Sequence, residues 1–229
     1  MDGNGRWAQR RNLPRARGHE EGVKSVREVV RECSRLGVEY LTLYAFSIEN
    51  WKRPRREVDF LMRLLGTFLV RETKALMDQN VVLDAIGRLD DLPATVRRKL
   101  HDTIVKTRPN TGLRACLALN YGGRTEIIDA ARRIAEEARA GKLDPAAIDE
   151  GSFRRYLYAD YDGEPFPDPD LLIRTAGEMR LSNFLLWQAS YTELYVTDVC
   201  WPDFRGEQLR LAVEEYGRRE RKFGALKGK

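Results

Sequence analysis

Segments with the apolar period of a helix alternate with short runs rich in β-branched and aromatic residues. This alternation restricts the fold more than any other feature of the chain. Residues 18–36 set Val23, Val26, Val30 and Cys33 at three- and four-residue steps, one face of a helix that Gly37 stops. The run 40–46, Tyr-Leu-Thr-Leu-Tyr-Ala-Phe, reads as a buried strand. Pro54 opens a second long helix, where a first-turn proline loses no hydrogen bond, with the stripe Val58, Leu61, Met62, Leu65, Phe68, Leu69 and Leu76. A strand is expected at 81–86, and a helix capped by Asp90 and Asp91 at 93–107. A strand follows at 113–120, then a helix at 125–140 led in by Gly122 and Gly123. Short strands are expected at 170–174 and 193–196, and a last helix from about Phe204. The stretch 160–170, with Gly163 and its prolines, reads as a surface loop. Strand–helix alternation of this kind predicts an α/β fold, a largely parallel central sheet flanked by helices, in one domain over 1–229.

Composition removes several classes. With 42% hydrophobic and 33% charged residues the chain is not disordered. Its apolar runs, such as Phe184-Leu185-Leu186-Trp187, fall far short of the ~20 residues of a membrane span. Cys33, Cys116 and Cys200 form no Cys-x-x-Cys pair, and His19 and His101 are the only histidines, so thiolate and histidine metal centres are not expected. Met1 leads straight into polar residues rather than a signal-peptide core, and the expected compartment is the cytoplasm. The net charge of +5 suits an anionic substrate, an acidic membrane or nucleic acid. The basic clusters 53–56 and 97–99 lack interleaved aromatics, which argues against nucleic acid.

Parallel α/β sheets place their sites past the carboxyl ends of strands. Asp2-Gly3-Asn4-Gly5-Arg6-Trp7 offers glycines that let backbone approach an anion, with Arg6, Arg15 and His19 as added charge. Asp2 would repel a phosphate there unless a cation lay between them, and Mg²⁺ is the simplest such cation. The same residues fit a helix-capping turn about equally well, and the Gly-x-Gly-x-x-Ala pattern also touches the dinucleotide fingerprint. Arg174, Arg180 and Ser182 follow the expected strand at 170–174 and could clamp a diphosphate, guanidinium matching phosphate oxygens two at a time. Solvated surface arginines, with Glu178 neutralising Arg180, are the bland alternative. The segment 47–54 (Ser-Ile-Glu-Asn-Trp-Lys-Arg-Pro) suits a mobile loop closing over ligand, or else a helix entry anchored by Trp51.

Taken in order, these segments resemble the cis-prenyltransferases, and among them the bacterial undecaprenyl diphosphate synthases. The resemblance rests on residues 1–8, 18–19, 43–54, 120–124, 173–188, 193–195, 201–204 and 221–224. It implies condensation of isopentenyl diphosphate onto an allylic diphosphate such as farnesyl diphosphate, with Mg²⁺, in a homodimer. Product release could involve peripheral contact with a membrane. By motif position, Asp2 would be the catalytic carboxylate and a Mg²⁺ ligand, completed by Glu193. Gly3, Asn4, Gly5, Arg6 and Trp7, with Arg15 and His19, would cradle the allylic diphosphate. Arg174, Arg180, Leu181 and Ser182 would hold isopentenyl diphosphate. Ser47, Ile48, Glu49, Trp51 and Arg53 would form the mobile loop, and Asn50 would accept or relay a proton. Arg221 and Gly224 would reach the partner subunit. An apolar tunnel between sheet and helices would hold the growing chain, with Ala45 at its floor and Val23 beside it. The family carries a strand ahead of Asp-Gly-Asn-Gly, and that strand is expected to be missing here. Ala176 and Met179 stand where family members often have Gly and His. A catalytically silent relative and a dinucleotide-binding oxidoreductase remain the rival readings.

Overall fold

The computed structural model describes residues 1–158, 160–161 and 164–220. Helix α1 (Asn4–Gln9) runs into α2 (Arg15–Leu36), β1 (Tyr40–Ser47) and α3 (Arg55–Asp78). Then come β2 (Val82–Ile86), α4 (Ala94–Thr107), β3 (Arg114–Tyr121) and α5 (Gly123–Arg139). The chain continues through α6 (Glu150–Arg154), β4 (Asp160–Tyr161), β5 (Glu164–Pro165), β6 (Leu171–Arg174), β7 (Glu193–Val196) and α7 (Gly206–Gly217).

The α/β architecture expected from the alternation is present, in two parallel pieces. β1, β3 and β2 form one sheet in the order β1-β3-β2, and β6 and β7 form another. β3 is central and almost entirely buried, as its unbroken run Ala-Cys-Leu-Ala-Leu-Asn-Tyr requires of a strand covered on both faces. The β1–β3 register passes from Tyr44↔Ala118 to Phe46↔Leu119, so Ala45 is a bulge residue without a partner. In the second piece Leu171 pairs with Glu193 and Arg174 with Val196.

One core cluster joins α3 and α4 to the sheet. Val58, Met62, Leu69 and Leu76 meet Val96, Leu100, Leu83 and Leu117, the stripe foreseen from the 3.6-residue period. A second lies on the other side around Ile86, Cys116, Ala118, Tyr121 and Leu185. Here Glu126 is fully buried and accepts from Tyr121 Oη (2.5 Å), Gln188 Nε2 (3.2 Å) and the Tyr158 backbone N–H (3.0 Å). Burial pushes its carboxyl upward, against those hydrogen bonds.

Several boundaries differ from the sequence expectation, each for a local reason. α2 starts at Arg15, because Pro14 at the N-cap pre-sets the entry before the apolar face begins. Asp90 and Asp91 do not cap α4. They lie in a 3-10 turn, Leu89–Asp91, and Pro93 takes the N-cap position instead. The last helix begins at Gly206, after a separate 3-10 turn at Trp201–Asp203. The stretch read as a surface loop contains the antiparallel pair β4–β5. Arg221 and Gly224 lie outside the described residues.

Candidate active site

The amino-terminal segment is tied to the end of β6 by its backbone. Asp2 N donates to Thr175 Oγ1 (2.8 Å), which donates back to Asp2 O (3.0 Å), and Trp201 N donates to the same oxygen (2.8 Å). Gly3 then turns with φ +97°, and a Cβ there would stand 2.9 Å from both Ala176 Cβ and Cys200 Cβ. Only glycine combines that conformation with that contact. Gly18 in α2 lets α1 lie directly on it, since a Cβ at Gly18 would come within 1.9 Å of Asn4 O.

Cations from four segments are then held by carboxylates. Arg174 Nη2 pairs with Asp2 Oδ2 at 2.7 Å and also donates to Ser182 Oγ at 3.0 Å. Glu178 joins Arg6 (2.8 Å) and Arg180. Glu57 lies near Arg53 (3.2 Å), Arg15 (3.5 Å) and His19 (3.8 Å) through one oxygen, Oε1. Burial, aided by the neighbouring Arg53 charge, lowers the His19 imidazole to about 4, so it is neutral at pH 7. Asn4 Oδ1, His19 Nε2 and Arg174 Nε are buried without a hydrogen-bond partner. All three residues line one cavity, and an unpartnered buried polar atom there calls for a partner such as a ligand.

The mouth opens into a cavity of about 1210 Å³. Asp2, Asn4, His19, Asn50, Arg53, Arg174, Arg180 and Ser182 line its polar end. Val23, Val26, Leu61, Leu65 and Phe68 from α2 and α3 line its depth. The whole of β1 and the whole of β6 also border it. Among the described residues β1 pairs only with β3, and β6 only with β7. Ala45, on the β1 bulge, is exposed and among the lining residues.

The segment read as a mobile loop or as a helix entry anchored by Trp51 contains a 3-10 helix, Ile48–Lys52. Asn50 Oδ1 accepts from Ser47 N (3.2 Å), and Trp51 Nε1 donates to Asn120 Oδ1 (2.7 Å). Asn183 Nδ2 donates to Glu49 Oε1 (2.8 Å), joining this helix to the Arg174–Ser182 side. Ile48 packs near Gly122. Residues 176–185 carry positive φ at Ala176 (65°), Ser182 (49°), Asn183 (64°) and Leu185 (47°). Such clustering of left-handed residues marks a segment shaped for something other than stability.

Not every expected site residue comes to the mouth. Trp7 sends its indole N–H to Asp203 (2.7 Å) and carries Arg11 over its ring, so it anchors α1 to the Trp201–Asp203 turn. Leu181 contributes its carbonyl, to Arg174 Nη1 at 3.5 Å. Glu193 starts β7 opposite Leu171, whereas Arg174 is level with Val196. At ~3.3 Å per residue that is roughly 10 Å along the strand. Glu193 pairs instead with Arg219 at 2.9 Å. Glu57 and Thr175 were not singled out by the sequence. Glu57 resembles any first-turn helix acid, and only the distant Arg15 and His19 reveal its place.

Among the described residues no three His, Cys, Asp or Glu side chains group to hold a metal. Mg²⁺ does not ask for such a cage, since one carboxylate plus substrate phosphates suffices. Asp2 fits that donor set: its side chain is 42% exposed, and its carboxylate faces the Arg174 guanidinium.

The family model described as "Putative undecaprenyl diphosphate synthase" matches residues 1–224. The chain belongs to this prenyltransferase family. It is 48% identical to the isoprenyl transferase of Clostridium perfringens, over 99% of this chain and 88% of that protein. It is 49% identical to the farnesyl-diphosphate-specific ditrans,polycis-undecaprenyl-diphosphate synthase of Micrococcus luteus, over 99% and 89%. Lavandulyl diphosphate synthase from Lavandula x intermedia, solved in complex with dimethylallyl diphosphate, superposes with a TM-score of 0.93 at 38% identity, over 98% and 95% of the chains. A probable undecaprenyl diphosphate synthase from Campylobacter jejuni gives 0.78 at 36%, over 90% and 93%. The chain is therefore a cis-prenyltransferase, and the dinucleotide reading of its glycines falls away.

Proposed function

We propose that this enzyme extends an allylic diphosphate, such as farnesyl diphosphate, with isopentenyl diphosphate in a Mg²⁺-dependent reaction, to a long polyprenyl diphosphate near undecaprenyl. The observation that carries this reading is the cavity. Arg53, Arg174 and Arg180 line its polar end together with Asp2, which pairs with Arg174, and apolar residues of α2 and α3 line much of the remainder.

In this reading Gly3, Asn4, Gly5, Arg6, Arg15 and His19 hold the allylic diphosphate. Arg174, Arg180 and Ser182 hold isopentenyl diphosphate beside it. The allylic C–O bond breaks as diphosphate leaves, the new C–C bond forms to the isopentenyl terminal carbon, and a proton is lost to leave a cis double bond. Arginines and backbone N–H groups stabilise the departing charge without reorganising. Asp2 would hold Mg²⁺, which when bound would supply Lewis-acid stabilisation of that leaving group. Asn50, which lines the cavity, is in this reading the residue that relays the lost proton. The hydrocarbon runs along α2 and α3. The bordering strand edges carry peptide groups that hydrocarbon cannot satisfy.

Glu193 does not line the cavity of its own chain, and in this reading its metal role is one exercised across a homodimer. The exposed Leu194 and Val196 on β7 and the exposed Tyr191 support such a homodimer. No helix among the described residues is long and apolar enough to cross a membrane.

The test is extension of farnesyl diphosphate by labelled isopentenyl diphosphate, with and without Mg²⁺, products sized by chromatography. A ladder ending in a long product, lost in Asp2→Ala, is expected. A single condensation without a ladder, or none, would contradict the proposal.

A further inference from the structure

A carboxylate that serves only to start a helix needs one solvated partner at most. Glu57 sits in the first turn of α3, where a negative charge is favoured. Its side chain, however, is only 19% exposed, and Oε1 faces three cationic or protonatable groups from two other segments. Arg53 closes the 3-10 segment, whereas Arg15 and His19 belong to α2. The Arg15 guanidinium lies against the Gly5 backbone, where a Cβ would come within 2.7 Å of Nη1. The glutamate is thereby linked, through Arg15, to the glycine segment of the proposed cradle.

We propose that Glu57 is an anionic placeholder. Its carboxylate gathers Arg15, Arg53 and His19 while the cradle is empty and yields the arginines to an incoming diphosphate. The inference rests on the diphosphate reading of that cradle and adds a residue and a role to it. Two consequences follow from Coulomb's law at these separations. Without Glu57 the two guanidiniums would lose a common partner but keep their full attraction for an incoming anion. With it they are preassembled, but part of their attraction for the ligand is already spent on the carboxylate. Exchange of one anion for another also moves Arg53, and with it the carboxyl end of the 3-10 segment. The cradle's occupancy is thereby coupled to the position of Asn50 and Trp51.

Calorimetric titration of the full chain with inorganic pyrophosphate tests this. Glu57→Gln keeps size and shape, removes the competing charge, and is expected to bind pyrophosphate about tenfold more tightly, with a steeper salt dependence. Arg15→Ala is expected to bind it at least tenfold more weakly. Unchanged or weaker binding by Glu57→Gln, with its melting temperature intact, overturns the placeholder. Arg15→Ala binding as well as the parent chain overturns the diphosphate reading, and the placeholder with it. Should Glu57→Gln melt early, Glu57→Asp keeps the charge but withdraws it by one methylene, and an intermediate affinity is expected. An affinity for Glu57→Asp no higher than the parent's rejects the idea.

Discussion

Gly18→Ala adds one methyl group beneath the proposed diphosphate cradle, and it should disable the enzyme. The new Cβ would stand 1.9 Å from Asn4 O, a backbone atom that no rotamer can remove. Ordinary contact needs about 3.3 Å, close to the usual range for C···O approach. α1 would have to retreat by roughly 1.4 Å, and the Asp2–Arg6 segment would move with it. Misplacement by ~1 Å costs on the order of 10²-fold in rate. Overpacking of this kind costs ~1–3 kcal/mol in stability. Steady-state prenyl transfer and thermal melts should therefore show a fall in kcat of about 10²-fold with only a modest loss of stability. Gly66→Ala is the matched control. Its Cβ would meet nothing closer than Lys99 at 3.4 Å. Alanine in a helix interior gains up to ~1 kcal/mol over glycine, so this variant should be active and no less stable. A Gly18→Ala enzyme with full kcat and an unchanged melt would refute the idea that α1 is seated by this close approach.

Ala45→Leu fills the cavity at the β1 bulge, and its products should be shorter by several isoprene units; chromatography of the labelled products checks this. Ala176, at φ 65°, holds a left-handed conformation that costs a non-glycine residue ~1–2 kcal/mol. Ala176→Gly should raise stability by up to about 1 kcal/mol after the entropy of glycine is set against this gain, as read by denaturant unfolding. His19 is held near 4 in the fold against 6.5 in the unfolded chain. The unfolded state thus binds the extra proton first, and stability should be constant above pH 6.5 and fall as pH drops towards 4. The loss attributable to His19 is up to roughly 3 kcal/mol. Melts of His19→Gln alongside the parent between pH 7.5 and 4.5 should show the variant losing less.

Much of the fold was legible because it rests on local periodicity. The stripe from Val58 to Leu76 and the unbroken apolar run of β3 each announce their element and its burial. What was hidden depended on contacts between distant residues. The sequence leaves 47–54 open between a loop and a helix entry anchored by Trp51; nothing near Ile48 says that Trp51 will find Asn120, the bond that with the Asn50 cap holds the 3-10 helix. Glu57 and Glu178 read as ordinary surface acids until Arg15 and Arg6 are brought to them. Register hid the position of Glu193, because the sequence shows a motif but not how two strands align. The separation of the sheet into two pieces was likewise invisible to the alternation of helix and strand, which predicts parallel pairing and not its extent.

The central claim is that two diphosphates bind at once, each to its own arginines, on either side of Asp2. Isothermal titration with a non-ionising thiolo analogue of farnesyl diphosphate and with isopentenyl diphosphate, in the presence of Mg²⁺, measures this directly. Saturation with one ligand should leave the other's binding intact, with Arg15→Ala weakening only the allylic analogue and Arg180→Ala only isopentenyl diphosphate. Mutual exclusion of the two ligands, or equal weakening of both by either substitution, would show a single shared site and contradict the account.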